Sequence, residues 1–252
     1  MLKLIESILA GRIQTEEIDT VGSAAYRGEL ATRPSQCIEC GKCLSACPVG
    51  AISLSRRKLP CIDYKKCVFC GKCAEACAEG TLYHTNLDAM PVITSQNNTE
   101  IGRLINAGHT RSLHVRHLDA GSCNACDFEM AALTNPVYDL HRYGISFVAS
   151  PRHADMIMVT GVVTRNLAEA VLMTYEAMPE PKLVMAVGAC AAGGATYGET
   201  YALIGALDKI LPVDILVPGC PPRPSAMLIA LLAASDLYKQ RCRLSPFHGE
   251  AD

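Results

Sequence analysis

The sequence predicts an α/β protein: an open, mainly parallel sheet over residues 111–240, with a smaller α+β unit ahead of it. Three observations predict this. Apolar runs at 145–148, 156–159, 183–187 and 215–217 are short and rich in branched side chains, as buried strands are. Stretches at 128–143, 165–177 and 225–239 lie between or after them and have helical spacing of apolar residues. Strand and helix in alternation imply parallel strands covered on both faces. Ahead of them a cysteine pattern occurs twice, which marks a short duplicated unit.

Composition narrows the function classes. Of 252 residues, 50% are hydrophobic and 19% charged, which excludes disorder as the main state. The 23 basic and 25 acidic residues give a net charge of −2, so no electrostatic footprint for nucleic acid exists. Trp is absent and Phe numbers 4, which argues against a stacking platform for single strands. Residues 1–10 are apolar only briefly and include Lys3 and Glu6, unlike a secretory leader. The thiols are therefore expected to stay reduced, in the cytoplasm. The apolar run at 226–234 is well short of a membrane span, so a soluble or peripheral chain is expected.

The chain divides into five zones. Residues 1–36 open with Leu2, Leu4, Ile5, Ile8 and Leu9 at helical spacing, an amphipathic docking or capping segment. Residues 37–84 carry the repeat, and 85–110 read as a polar linker. Residues 111–240 form the α/β domain, and 241–252 a polar tail.

The count that decides function is 14 Cys. A chain this long needs no disulfide staples, so spacing matters more than number. Cys37-x2-Cys40-x2-Cys43-x3-Cys47 recurs as Cys67-x2-Cys70-x2-Cys73-x3-Cys77. Even the fillers Gly41-Lys42 and Gly71-Lys72 match. Three close thiolates wrap one cubane in a single loop, and the fourth arrives from the other repeat. The expected ligand sets are Cys37, Cys40, Cys43 and Cys77 for one [4Fe-4S] cluster, and Cys67, Cys70, Cys73 and Cys47 for a second. Zinc knuckles favour paired cysteines instead. Gly41 and Gly71 let the backbone bend around the clusters. Pro48 follows Cys47 as the pattern expects, whereas Ala78 follows Cys77. Arg56-Arg57-Lys58 reads either as a solvated loop or as a patch for an acidic redox partner.

Four more cysteines sit at strand ends. Cys123 and Cys126 follow a run at 113–115, Cys190 closes the run at 183–187, and Cys220 closes that at 215–217. Ligands bind outside the carboxyl ends of strands in an open parallel sheet. The four thiols are thus expected to converge on a third [4Fe-4S] cluster, with Gly188 and Gly219 making room in the loops. Cys61 and Cys242 fit neither pattern and read as structural or free thiols. His153 reads as a loop histidine or a relay beside that cluster. Asp127 and Glu129 read either as a rim facing a partner or as a solvated first helical turn.

Here the resemblance becomes specific. The motifs Ser122-Cys123-Asn124-Ala125-Cys126, Ser150-Pro151-Arg152-His153-Ala154-Asp155, Thr160-Gly161-Val162-Val163-Thr164, Gly188-Ala189-Cys190 and Pro218-Gly219-Cys220-Pro221-Pro222 resemble the small subunit of membrane-bound (group 4) [NiFe] hydrogenases. The formate hydrogenlyase and energy-converting types look most similar, and that subunit is homologous to the cluster-bearing small subunit of respiratory complex I. The likeness covers about residues 111–240 and implies a flavodoxin-like sheet. The first 84 residues resemble the two-cluster ferredoxin subunit of the same complexes, including Tyr26-Arg27-Gly28 ahead of the first run. The chain would then fuse two usually separate subunits.

The resemblance implies an electron-transfer subunit with three [4Fe-4S] clusters and no catalytic centre of its own. Electrons would pass between a donor, a formate dehydrogenase electron-transfer subunit or a ferredoxin, and the NiFe centre of a partner large subunit. Membrane-arm subunits would hold the complex on the inner face of the cell membrane. Two other functions fit the cysteines: a complex I-like quinone oxidoreductase subunit, and a stand-alone ferredoxin-type carrier. Complex I relatives have adjacent cysteines where this chain has Cys123-x2-Cys126, which favours the hydrogenase side.

Overall fold

The computed structural model describes residues 26–87, 92–93, 112–194, 197 and 200–244. The amphipathic segment at Leu2–Leu9 lies outside them.

The N-terminal unit is two cysteine loops in pseudo-symmetry. Strand β1 (Leu30–Thr32) pairs antiparallel with β4 (Leu82–His84), and β2 (Ile52–Leu54) with β3 (Pro60–Ile62). The short helices α1 (Lys42–Ala46) and α2 (Lys72–Glu75) start at the matched glycines, Gly41 and Gly71, both left-handed with φ of 71° and 82°. A side chain there would be strained, which explains why both repeats keep glycine. The buried core is small: Leu30, Ile52, Cys73 and Leu82, with Leu44, Ile62 and Phe69 packed on it. So few apolar side chains stabilise a unit of this size poorly without a bound metal. The unit begins earlier than residue 37, because Leu30 pairs with His84 and Thr32 with Leu82.

The larger domain is a six-stranded sheet in the order β5-β12-β10-β8-β6-β7. Its members are β5 (Val92–Ile93), β6 (Leu113–Asp119), β7 (Ile145–Phe147), β8 (Met156–Thr160), β10 (Leu183–Val187) and β12 (Ile215–Val217). All neighbours pair parallel except β5, which runs antiparallel to β12 at the edge. Residues 85–110 are thus not all linker, since the β-branched Val92 and Ile93 find partners in Leu216 and Ile215. Strand β9 (Val163–Thr164) and β11 (Leu203–Gly205) form a separate antiparallel pair.

Alternation along the strands divides the core. Met156, Met158, Leu183, Met185, Val187 and Ile215 face helix α6 (Pro224–Leu244). Ile157, Val159, Val184, Ala186 and Leu216 face α4 (Arg165–Glu176) and α5 (Gly188–Gly193). Each such large side chain contributes about 1.5–3 kcal/mol by leaving water.

Two expectations change here. The helix expected over 128–143 is instead α3 (Ala125–Ala131), a 3-10 turn at Ala132–Thr134 and another at Leu140–Tyr143. Pro136 has no N–H to continue a helix, and the Asn135 side chain takes the N–H groups of Val137 and Tyr138 at 2.9 and 3.1 Å. The expected tail also starts too early, because α6 runs on to Leu244 and buries Cys242. The helix starts at Pro224, whose missing N–H has no role in a first turn.

The two units touch. Lys65 Nζ lies 3.2 Å from Asp208, and a side chain on Gly193 would strike the Lys65 carbonyl at 2.5 Å. Both ends of that ion pair are about half exposed, so it is worth at most about 1 kcal/mol. Lys65→Ala should therefore leave the melting temperature of the complex within about 2–4 °C of the parent, as scanning calorimetry would show.

Candidate metal centres

The first set of sequence-predicted thiols lines one pocket. Cys37, Cys40, Cys43 and Cys77 all contribute to its wall, with Ile38, Gly41, Leu54, Lys58 and Pro60. Burial pushes the Cys43 thiol up, and nearby Cys77 and Cys40 add to the effect. Cys77 comes from the second repeat and lines this pocket beside three thiols of the first. Burial is the largest single influence on the Cys77 thiol and raises it, but the N–H groups of Leu82, Thr81 and Glu79 and the Thr81 hydroxyl together outweigh it and hold the thiol below its usual value.

Cys47, Cys67, Cys70 and Cys73 line a second, separate pocket with Phe69, Gly71 and His84. Burial pushes Cys73 up to about 11, helped by Cys67, Cys70 and Cys47. The backbone N–H of Ala51 donates to Cys47 Sγ at 3.2 Å. The Arg27 guanidinium donates to the Cys70 carbonyl and pins the loop. His84 Nδ1 lies 3.1 Å from the Gly28 carbonyl, while its buried Nε2 has no hydrogen-bond partner among the described residues.

The third set sits where the parallel sheet ends. Cys123 and Cys126 follow β6, Cys190 lies in α5 just after β10, and Cys220 follows β12. Burial pushes Cys126 up to about 12, and Cys190, Cys220 and Cys123 add to it in that order. Cys220 is likewise raised by burial and then by Cys190 and Cys123. Gly188, at φ 84°, permits this approach: a side chain there would stand 2.8 Å from Cys126 Sγ. Gly219 lies in the Cys220 loop against Pro222.

The Cys126 loop is held by a hydrogen-bond network that sequence reasoning missed. Thr160 Oγ1 donates to Asp127 Oδ1 at 2.7 Å, and Ser122 Oγ donates to Asp127 Oδ2 at 2.7 Å. Asp119 accepts the N–H groups of Gly121 and Ser122 at 2.8 and 2.6 Å. His117 Nε2 lies 2.9 Å from Thr160 Oγ1, and burial holds this imidazole below its usual value. Asp127 is therefore a loop fastener rather than a freely solvated charge. Tyr197, beside Cys123, Cys190 and Cys220, was also missed. The polar Thr160 ending an otherwise apolar strand was the available signal.

The donor sets fit an inorganic cluster. All twelve thiols are free of disulfides. Among the described residues no three His, Cys, Asp or Glu converge tightly enough for a single ion. Thiolates this near one another are mutually destabilising, and only a cationic core between them reverses the effect. Cys61 is exposed on β3 and belongs to no set, and Cys242 is buried in the core.

Comparison with known proteins adds to this geometry. Residues 123–234 match the family model "NADH ubiquinone oxidoreductase, 20 Kd subunit", and residues 36–81 match "4Fe-4S dicluster domain". The probable membrane-bound hydrogenase subunit mbhJ of Pyrococcus furiosus is 49% identical over 49% of this chain and 74% of its own. Formate hydrogenlyase subunit 7 of Escherichia coli is 41% identical over 52% of this chain, a stretch spanning 51% of that relative. An NADH-quinone oxidoreductase subunit of Citrifermentans bemidjiense is 48% identical over 44% of this chain and 65% of its own. Among the described residues no helix is long and apolar enough to cross a membrane. The chain therefore belongs to the NADH ubiquinone oxidoreductase 20 Kd subunit family, as an iron–sulfur electron-transfer subunit of the hydrogenase and complex I-like class that carries its dicluster domain on the same polypeptide.

Proposed function

We propose that this chain is the wire of a membrane-bound hydrogenase, holding three [4Fe-4S] clusters between an electron donor and the NiFe centre of a partner large subunit. Cys37, Cys40, Cys43 and Cys77 hold the first cluster, Cys47, Cys67, Cys70 and Cys73 the second, and Cys123, Cys126, Cys190 and Cys220 the third. When bound, such clusters supply one-electron transfer at potentials set by charge, hydrogen bonds to sulfur and exposure. Two observations support an order in a row. Val68 and Phe69, between two ligands of the second set, share a cavity with Cys220 and Pro221 of the third. Among the described residues, none from the α/β domain lines the first pocket. The donor, a formate dehydrogenase electron-transfer subunit or a ferredoxin, would engage the first set, and the large subunit the third. Membrane-arm subunits would keep the complex peripheral on the inner face of the membrane.

The observation that carries this reading is the convergence of four thiols from three strand-end loops beside the second cysteine loop. The Cys123-x2-Cys126 spacing favours the hydrogenase over the quinone-reducing reading. Metal analysis of the gently purified complex tests both. About twelve iron and twelve acid-labile sulfide per chain are expected, with nickel in the complex. About eight iron would remove the third set from the reading. Quinone reduction without nickel would move the chain to the complex I-like side.

A further inference from the structure

The donor-side pocket opens on a surface of distinct chemistry. Cys40, in its wall, is exposed. Two apolar side chains flank it at the surface, Ile38 at 64% and Leu54 at 42% exposure. The β2–β3 hairpin forms one side of the opening through Leu54, Lys58 and Pro60. Its turn is fastened: Lys58 N–H donates to the Ser55 carbonyl at 2.9 Å, Ser55 N–H to the Leu59 carbonyl at 2.8 Å, and Leu59 N–H to Ser55 Oγ at 3.2 Å. Arg56 and Arg57 stand exposed at the tip, and neither has an ion-pair partner among the described residues. Lys42 is exposed on the opposite rim. Two acids offset part of this charge, Glu39, which pairs with Lys58 at 3.5 Å, and Glu79. Counting the rim side chains alone, Lys42, Arg56, Arg57 and Lys58 outnumber Glu39 and Glu79, and the excess sits at the hairpin tip.

We infer that this rim is the docking surface for an acidic electron-carrier protein, with Arg56 and Arg57 steering it and Ile38 and Leu54 forming the dry contact over the first pocket. The inference rests on the proposed cluster assignment and names the partner's chemistry and its landing place. A small apolar patch ringed by charge suits a transient redox encounter, which needs fast arrival and ready release rather than a large interface. The fastened turn carries two guanidinium groups, neither ion-paired among the described residues, so their charge is available to a partner. Among the described residues no part of the α/β domain lines this pocket, whereas Cys220 and Pro221 line the cavity beside Val68 and Phe69.

Stopped-flow reduction of the intact complex tests this, with a reduced acidic ferredoxin and, separately, reduced methyl viologen as donors. At low ionic strength the ferredoxin rate constant should fall at least about 10-fold in Arg56→Glu/Arg57→Glu. The parent rate should fall steeply with salt, and the variant's should not. Arg56→Lys/Arg57→Lys should keep the parent rate, because charge does the steering. Equal ferredoxin rates in parent and Glu variant, or a parent rate indifferent to salt, would overturn the inference. Methyl viologen separates the two levels of failure. If it bleaches the iron–sulfur absorbance of both proteins equally, the clusters are present and only the docking claim is at stake. If it bleaches neither, the cluster assignment itself is wrong.

Discussion

On the proposed three-cluster reading, Cys126→Ser should lower hydrogen turnover of the assembled complex by on the order of 100-fold or more, while leaving the signals of the first two clusters unchanged. Burial raises the Cys126 thiol up to about 12, and Cys190, Cys220 and Cys123 add to it. Its thiolate therefore depends on a cationic core beside it. A serine hydroxyl is a harder and more basic donor and does not replace a thiolate at iron. The side chain is also crowded, since Gly188 already gives way to Cys126 Sγ. Iron should fall from about twelve to about eight per chain, and electron paramagnetic resonance should lose one set of signals. Because the other two sets lie in a separately folded loop pair, their signals should survive. Turnover that persists at the parental rate, or loss of all three signals together, would remove Cys126 from its assigned role.

The largest stability effect should come from a residue far from every thiol. Asp214 is 8% exposed and stands before β12. Its Oδ2 accepts the Val184 N–H at 2.9 Å, at the start of the central strand β10. The Arg241 guanidinium binds the same carboxylate and also donates to the Lys182 carbonyl at 2.5 Å. One carboxylate thus ties two strands to the last turns of α6. Asp214→Ala strands a buried N–H and leaves the half-buried guanidinium only the Lys182 carbonyl, which costs about 2–4 kcal/mol. Arg241→Ala should cost less, about 1–2 kcal/mol, because Asp214 keeps the Val184 N–H. Anaerobic guanidinium unfolding followed by circular dichroism would rank the two. An Arg241 variant as unstable as the Asp214 variant would contradict this account.

The parts of the molecule legible in the sequence are those governed by local chemistry. The duplicated cysteine runs needed only counting, because ligand spacing must match a cluster of fixed size. The strands β8, β10 and β12 were legible because a strand covered on both faces must be apolar at nearly every position, as Met156–Thr160 and Leu183–Val187 are. What escaped depends on contacts distant in sequence. Gln240 and Arg241 look like the start of a polar tail, yet Arg241 finds Asp214 and the helix continues. Val92 and Ile93 look like part of a linker until Ile215 and Leu216 are placed beside them. Asp127 looks like a solvated charge until Thr160, 33 positions on, donates to it. The break at Asn135-Pro136 was present in the sequence and was outweighed by the apolar spacing around it.

Strand β5 has a further consequence for the hand-off between the two units. The chain leaves the cysteine unit at His84 and is already paired into the larger sheet at Val92. So short a stretch spans at most about 30 Å, so the two units cannot drift apart. A tether of this length gives an effective concentration in the millimolar range without any strong contact. Separate subunits would need on the order of 1,000 Å² of buried surface to stay together. Here a half-exposed ion pair and the close approach of Gly193 to Lys65 can suffice. Substitutions along that seam should therefore alter how the second and third thiol sets are spaced, and the speed of transfer between them, long before they alter whether the two meet.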